Sequence, residues 1–192
     1  MKSIIQKICI ICGICLLVIG SATLVLWQWE MRTAEKKADG YVNAILESIP
    51  NAEGAVLEER INNEMPILSI EGTDFIGVLE IPDFDTALPV CAEWNAPYKY
   101  PCRFSGNIYD RTIQIGATTQ KGQLDYYRDI SVGDNVYFTD MEGSRYAYVI
   151  SDMRYVKKAD SETLEKVNAD LTLFVKNLYS LEYIIIYCDA LS

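Results

Sequence analysis

Twenty consecutive positions from Ile8 to Trp27, ICIICGICLLVIGSATLVLW, carry no charge. As a helix this run spans ~30 Å, the thickness of a bilayer core. Lys2 and Lys7 precede it and favour a cytoplasmic N-terminus, although Arg32, Lys36 and Lys37 beyond it weaken the bias. The run is too long for the apolar core of a cleaved signal and no clear small-residue cleavage site follows, so the pattern predicts an uncleaved signal-anchor. The period then becomes three and four residues. Met31, Ala34, Ala38, Tyr41, Val42, Ile45, Leu46 and Ile49 form one apolar stripe, the mark of an amphipathic helix that Pro50 ends. Asn51 to Met65 is polar and aperiodic and reads as a linker.

From Ile67 the period shortens to two. ILSI, FIGVLEI, ALPVCAEW, RTIQIGA, NVYFTD, RYAYVISDMRYV, DLTLFV and YIIIYCDAL are candidate strands separated by turn signals. NVYFTD and RYAYVI, joined across Met141 to Ser144 with Gly143 between them, read as a hairpin in which Tyr146, Tyr148 and Ile150 share a face. A helix over Asp160 to Ala169, capped by Asp160 or Ser161, is the one strong helical signal within this region. Many short strands with little helix predict a closed or nearly closed antiparallel barrel. The expected organisation is a cytoplasmic N-terminus (1–7), a membrane span (8–27), a helical and linker region (28–66) and a β-barrel domain (67–192).

Charge and cysteine content narrow the chemistry. Residues 28–192 hold 15 basic against 27 acidic side chains, a net −12. Such a surface repels nucleic acid and suits a neutral or basic peptide. Cys9, Cys12 and Cys15 lie within the apolar run and, with no histidine anywhere in the chain, read as apolar filler and not as metal ligands. Neither a metal nor a cofactor is expected. Cys91, Cys102 and Cys188 are an odd set, allowing at most one disulfide; Cys91 and Cys102 flank AEWNAPYKYP and can pair or stay as core thiols. Cys188, inside IIIYCDAL, reads as a buried, unreactive thiol.

The order IGVLEIP, ALPV, YPCRFSGN, ISVGDNVYFTDMEGSRYAYVI and DLTLFV, set behind a signal-anchor, resembles the sortases. These are the membrane-anchored cysteine transpeptidases of Gram-positive bacteria, which join surface proteins or pilins to the cell wall or to each other. The resemblance implies an eight-stranded barrel with short helices, outside the cell membrane. It also implies a catalytic cysteine that attacks the threonyl carbonyl of a sorting signal, a histidine that exchanges protons, and an arginine that stabilises the oxyanion.

None of the three residues is present. Counting back from Gly133 and Asp134, the histidine position falls on Thr118, or on Ala117 if the alignment slips by one. The strand that should end in cysteine reads Thr172, Leu173, Phe174, Val175, Lys176, so the nucleophile position is Lys176. The arginine position, opening YIIIYC, is Tyr183. The expectation is therefore a pseudo-sortase: a groove with Thr118, Lys176 and Tyr183 at one end that binds a sorting-signal peptide, a pilin or an active sortase without cutting it. Tyr126, Tyr127, Tyr179 and Tyr187 are further groove candidates. The alternative is an enzyme with a relocated nucleophile such as Cys102.

Overall fold

The computed structural model describes residues 2–49, 64–94, 99–157, 169–180 and 182–191. Two compact units emerge, Met1–Ala34 and Glu35–Ser192. The first is helical from Lys2 onward. Leu16, Leu17, Ile19 and Leu24 are among its exposed apolar side chains, and the helix is long and apolar enough to cross a membrane. The span and the amphipathic stripe predicted as two helices run together in one, α1 (Lys2–Ser48), because the joining residues Gln28, Trp29 and Glu30 contain no helix breaker.

Within the second unit, the stretch of α1 from Glu35 onward buries Ala38, Tyr41, Val42 and Ile45, while Leu46 of the predicted stripe is exposed. Tyr41 packs its ring 5.2 Å from Phe75 and 5.6 Å from Tyr100, and its hydroxyl donates to Glu71 at 3.0 Å. Lys37 completes that group by pairing with the same carboxylate.

Nine strands follow: β1 (Leu68–Ile70), β2 (Thr73–Ile81), β3 (Thr86–Cys91), β4 (Cys102–Ser105), β5 (Ile113–Thr118), β6 (Asn135–Asp140), β7 (Arg145–Val156), β8 (Leu171–Lys176) and β9 (Tyr183–Ala190). Their order is β1-β2-β3-β4-β5-β8-β9-β7-β6, and β6 also pairs with β2, so β2 to β9 close an eight-stranded barrel with β1 as a short addition to the free end of β2. All eight predicted runs are strands. The ninth, β4, has only four residues between Pro101 and Gly106, too few for alternation to register. The Asn135–Asp140 and Arg145–Val156 strands form the expected hairpin, with Val136 opposite Tyr148. The predicted helix at 160–169 lies outside the described residues apart from Ala169, as does most of the linker.

The barrel interior is filled by alternate residues of each strand. Ile113, Ile115 and Ala117 of β5, Leu171, Leu173 and Val175 of β8, and Ile184, Ile186 and Cys188 of β9 belong to one buried cluster with Leu79, Phe138, Tyr148 and Ile150. Closure between β2 and β6 depends on Gly77. A Cβ there would lie 2.3 Å from the Thr139 carbonyl oxygen and 2.6 Å from the Phe138 ring.

Candidate functional site

The inward set on β5, β8 and β9 fixes which residues face away from the core. Pairing is parallel between β5 and β8 and antiparallel between β8 and β9, with Thr118 opposite Lys176 and Lys176 opposite Tyr183. Thr118, Lys176 and Tyr183 therefore form one cross-strand row on the outer face at the ends of three adjacent strands. Side chains so paired have Cβ atoms about 5 Å apart. Ala117, the other position that the sequence resemblance allowed for a histidine, points into the core.

Hydrogen bonds at the strand ends hold this row. The Thr118 amide donates to Gln123 Oε1 at 2.9 Å and the Thr119 amide to the Lys176 carbonyl at 3.1 Å. The Leu178 amide donates to Thr119 Oγ1 at 3.1 Å, and Asn177 Nδ2 donates to the Tyr127 hydroxyl at 3.1 Å. Exposure across the row is uneven. Thr118 is 4% exposed and, among the described residues, its hydroxyl has no hydrogen-bond partner, while Tyr183 is half-buried and Lys176 is exposed.

The next row along the same outer face is apolar: Gly116 opposite Phe174, and Phe174 opposite Ile185. Trp94 lies on it. A Cβ on Gly116 would meet the indole at 2.2 Å, so glycine is what lets the ring rest on the strand backbone. Trp94, Phe104 and Phe174 form a triangle with centroid separations of 5.1 to 5.5 Å. Phe174 and Ile185 are covered, while Trp94 and Phe104 remain almost half exposed. This aromatic shelf escaped the sequence reading. The available signal was the glycine in the middle of RTIQIGA, since a strand glycine marks a close approach.

The four candidate groove tyrosines are dispersed. Tyr187 borders the apolar row through Phe174 and Ile185 and lies 5.2 Å under the Arg154 guanidinium. Tyr126 stacks on Phe84 at 4.4 Å. Tyr127 and Tyr179 line an open cleft with Thr119, Lys121, Asp125 and Arg128, beside the Thr118 end of the row.

The thiols lie elsewhere. Cys91 and Cys102 are buried and opposite one another in the short β3–β4 pairing; they do not form a disulfide. The Cys102 thiol donates to the Tyr100 carbonyl at 3.3 Å. A hydrogen bond with Cys102 and burial push the Cys91 thiol far above its ordinary range. Burial does the same to Cys188, in the barrel interior. A thiol held protonated is a poor nucleophile.

No protein-family model and no curated protein matches the chain. Solved structures do. Sortase C from Clostridium perfringens, solved with the C-terminal cell wall sorting motif, superposes with a TM-score of 0.53 at 16% identity, covering 85% of this chain and 88% of that one. Sortase A from Corynebacterium diphtheriae gives 0.52 at 14% identity over 84% of each chain. Sortase C1 from Streptococcus suis gives 0.52 at 19% identity, covering 62% of this chain and 73% of that one. The closed eight-stranded barrel, its strand order and these superpositions together identify the fold of the chain as that of the sortases.

Proposed function

We propose that the chain is a membrane-tethered pseudo-sortase, a domain that binds a sorting-signal or pilin-like peptide, or a partner presenting one, and does not cut it. The observation that carries this reading is the outer row itself: Thr118, Lys176 and Tyr183 stand side by side where the sortase resemblance calls for histidine, cysteine and arginine. Lysine, threonine and tyrosine can hold a peptide group by hydrogen bonds, whereas thiolate attack needs all the missing members together. An enzyme with a relocated nucleophile finds no support. Cys91 and Cys102 are buried, Cys188 faces the core, and the chain has no histidine to activate any of them.

The peptide-binding part of the proposal draws on the Clostridium perfringens sortase C solved with its sorting motif, and on the aromatic shelf beside the row. Trp94 is the one tryptophan beyond the apolar helix; the others are Trp27 and Trp29. A sorting-motif peptide titrated onto the full chain in nanodiscs should change tryptophan emission, and Trp94→Phe should remove that change. An emission unaltered by saturating peptide in the native chain, with no heat of binding, defeats the reading.

In the same proposal, residues 1–7 are cytoplasmic, 8–27 span the membrane, 28–66 connect, and 67–192 are extracytoplasmic at a Gram-positive cell surface. The long exposed apolar helix and the two lysines ahead of it support this topology. Alkaline carbonate should leave the protein in the membrane pellet, and protease added to protoplasts should remove the barrel. Full-length protein in the soluble fraction contradicts the anchor.

A further inference from the structure

Thr118, Lys176 and Tyr183 share a chemical property: each can donate a hydrogen bond, none is acidic, and one carries a full positive charge. That is out of character for a domain whose net charge beyond the apolar run is −12. Lys176 is exposed and, among the described residues, engages in no ion pair. Thr118 is nine-tenths buried and, among the described residues, its hydroxyl has no hydrogen-bond partner, so an acceptor arriving there satisfies a buried donor. One register step away lies the apolar shelf of Gly116, Phe174 and Trp94. The combined surface offers a cationic, donor-rich end next to an apolar step.

We propose that this row is a carboxylate site and that its ligand is a peptide presenting a free C-terminal carboxylate. The carboxylate accepts from Lys176 Nζ and the Thr118 hydroxyl, with Tyr183 as a third donor, and the last side chain rests against the exposed parts of Trp94 and Phe104. A peptide passing straight through the groove brings only neutral carbonyls to the row and leaves the lysine charge unused. A chain end brings two oxygens and a full negative charge, and charge-assisted hydrogen bonds are about twice as strong as neutral ones. The inference rests on the peptide-binding reading above and adds to it which part of the peptide the row receives.

The test is calorimetric titration of the full chain in phosphatidylcholine nanodiscs. The ligands are the sorting-motif peptide ending at its threonine as the free acid, the same peptide as the amide, and an amide with glutamate as its last residue. The acid should bind roughly tenfold more tightly than the amide or better. That advantage should shrink as salt rises and vanish in Lys176→Gln, whose exposed site leaves the fold intact. Thr118→Val, close in shape, should weaken the acid while leaving the melting temperature unchanged or higher. Equal binding of acid and amide overturns the carboxylate site but spares the groove. An acid preference that survives Lys176→Gln also overturns it. Equal binding of the acid and the glutamate amide overturns the assignment to a chain end, and binding of none of the three removes this inference and the peptide-binding reading together.

Discussion

Replacing Gly77 with valine should cost the barrel about 3 kcal/mol or more and lower its melting temperature by roughly 10 °C. The clash partners are what make the effect large. A Cβ at this position meets the carbonyl oxygen of Thr139 at 2.3 Å, and a backbone atom in a paired strand cannot rotate away as a side-chain end can. The Phe138 ring, 2.6 Å from the same point, is fully buried and also has nowhere to go. Relief requires β2 and β6 to separate over Gly77 to Glu80, which are the residues that close the ring. Far-UV circular dichroism of the full chain in detergent should show the loss in the sheet signal on heating. A wild-type melting curve for Gly77→Val means that β2 and β6 do not meet there.

The unmodified chain should neither cleave nor transpeptidate a sorting-motif peptide, a deficit on the order of 10⁶-fold against an intact catalytic set. Nucleophile, proton carrier and oxyanion donor act as a unit, so restoring one of them alone, as Lys176→Cys, should yield nothing measurable. The triple change Thr118→His, Lys176→Cys and Tyr183→Arg sets three reactive side chains on neighbouring strands in direct register. It should produce weak thiol-dependent turnover if the groove retains a productive shape. Mass spectrometry of the peptide after long incubation reads both results. Thiol-dependent cleavage by the native chain ends the pseudoenzyme proposal and makes Cys102 the next residue to test.

Strand content was legible because β-branched and aromatic residues alternate with polar ones between turn residues, as in NVYFTD and RYAYVI. The apolar helix was legible from the absence of charge. β4 was hidden because Cys102 to Ser105 spans a single alternation, with Phe104 on the exposed side. The run from Trp27 to Met31 gave no sign of being continuous helix, since the change from uniform apolarity to a stripe looks like a boundary whether or not the backbone bends. The row of Thr118, Lys176 and Tyr183 followed from motif spacing, but its partners did not. Trp94 reaches Gly116 from a different part of the chain, and only the fold brings residues 94, 104, 116 and 174 onto one surface.

The strand order also governs when the molecule can become itself. β9 is last in sequence but sits between β8 and β7, and Gly77 finds Asp140 only after a long excursion of chain. Pairings so distant in sequence make folding slow, in the range of milliseconds to seconds for β-barrels. A chain emerging N-terminus first can form the β2–β3 and β6–β7 hairpins early, yet the open edges of β7 and β8 stay unpaired until Tyr183 to Ala190 arrive. The cylinder therefore closes only once β9 is in place, and the same late strand that supplies Tyr183 completes both the wall and the row.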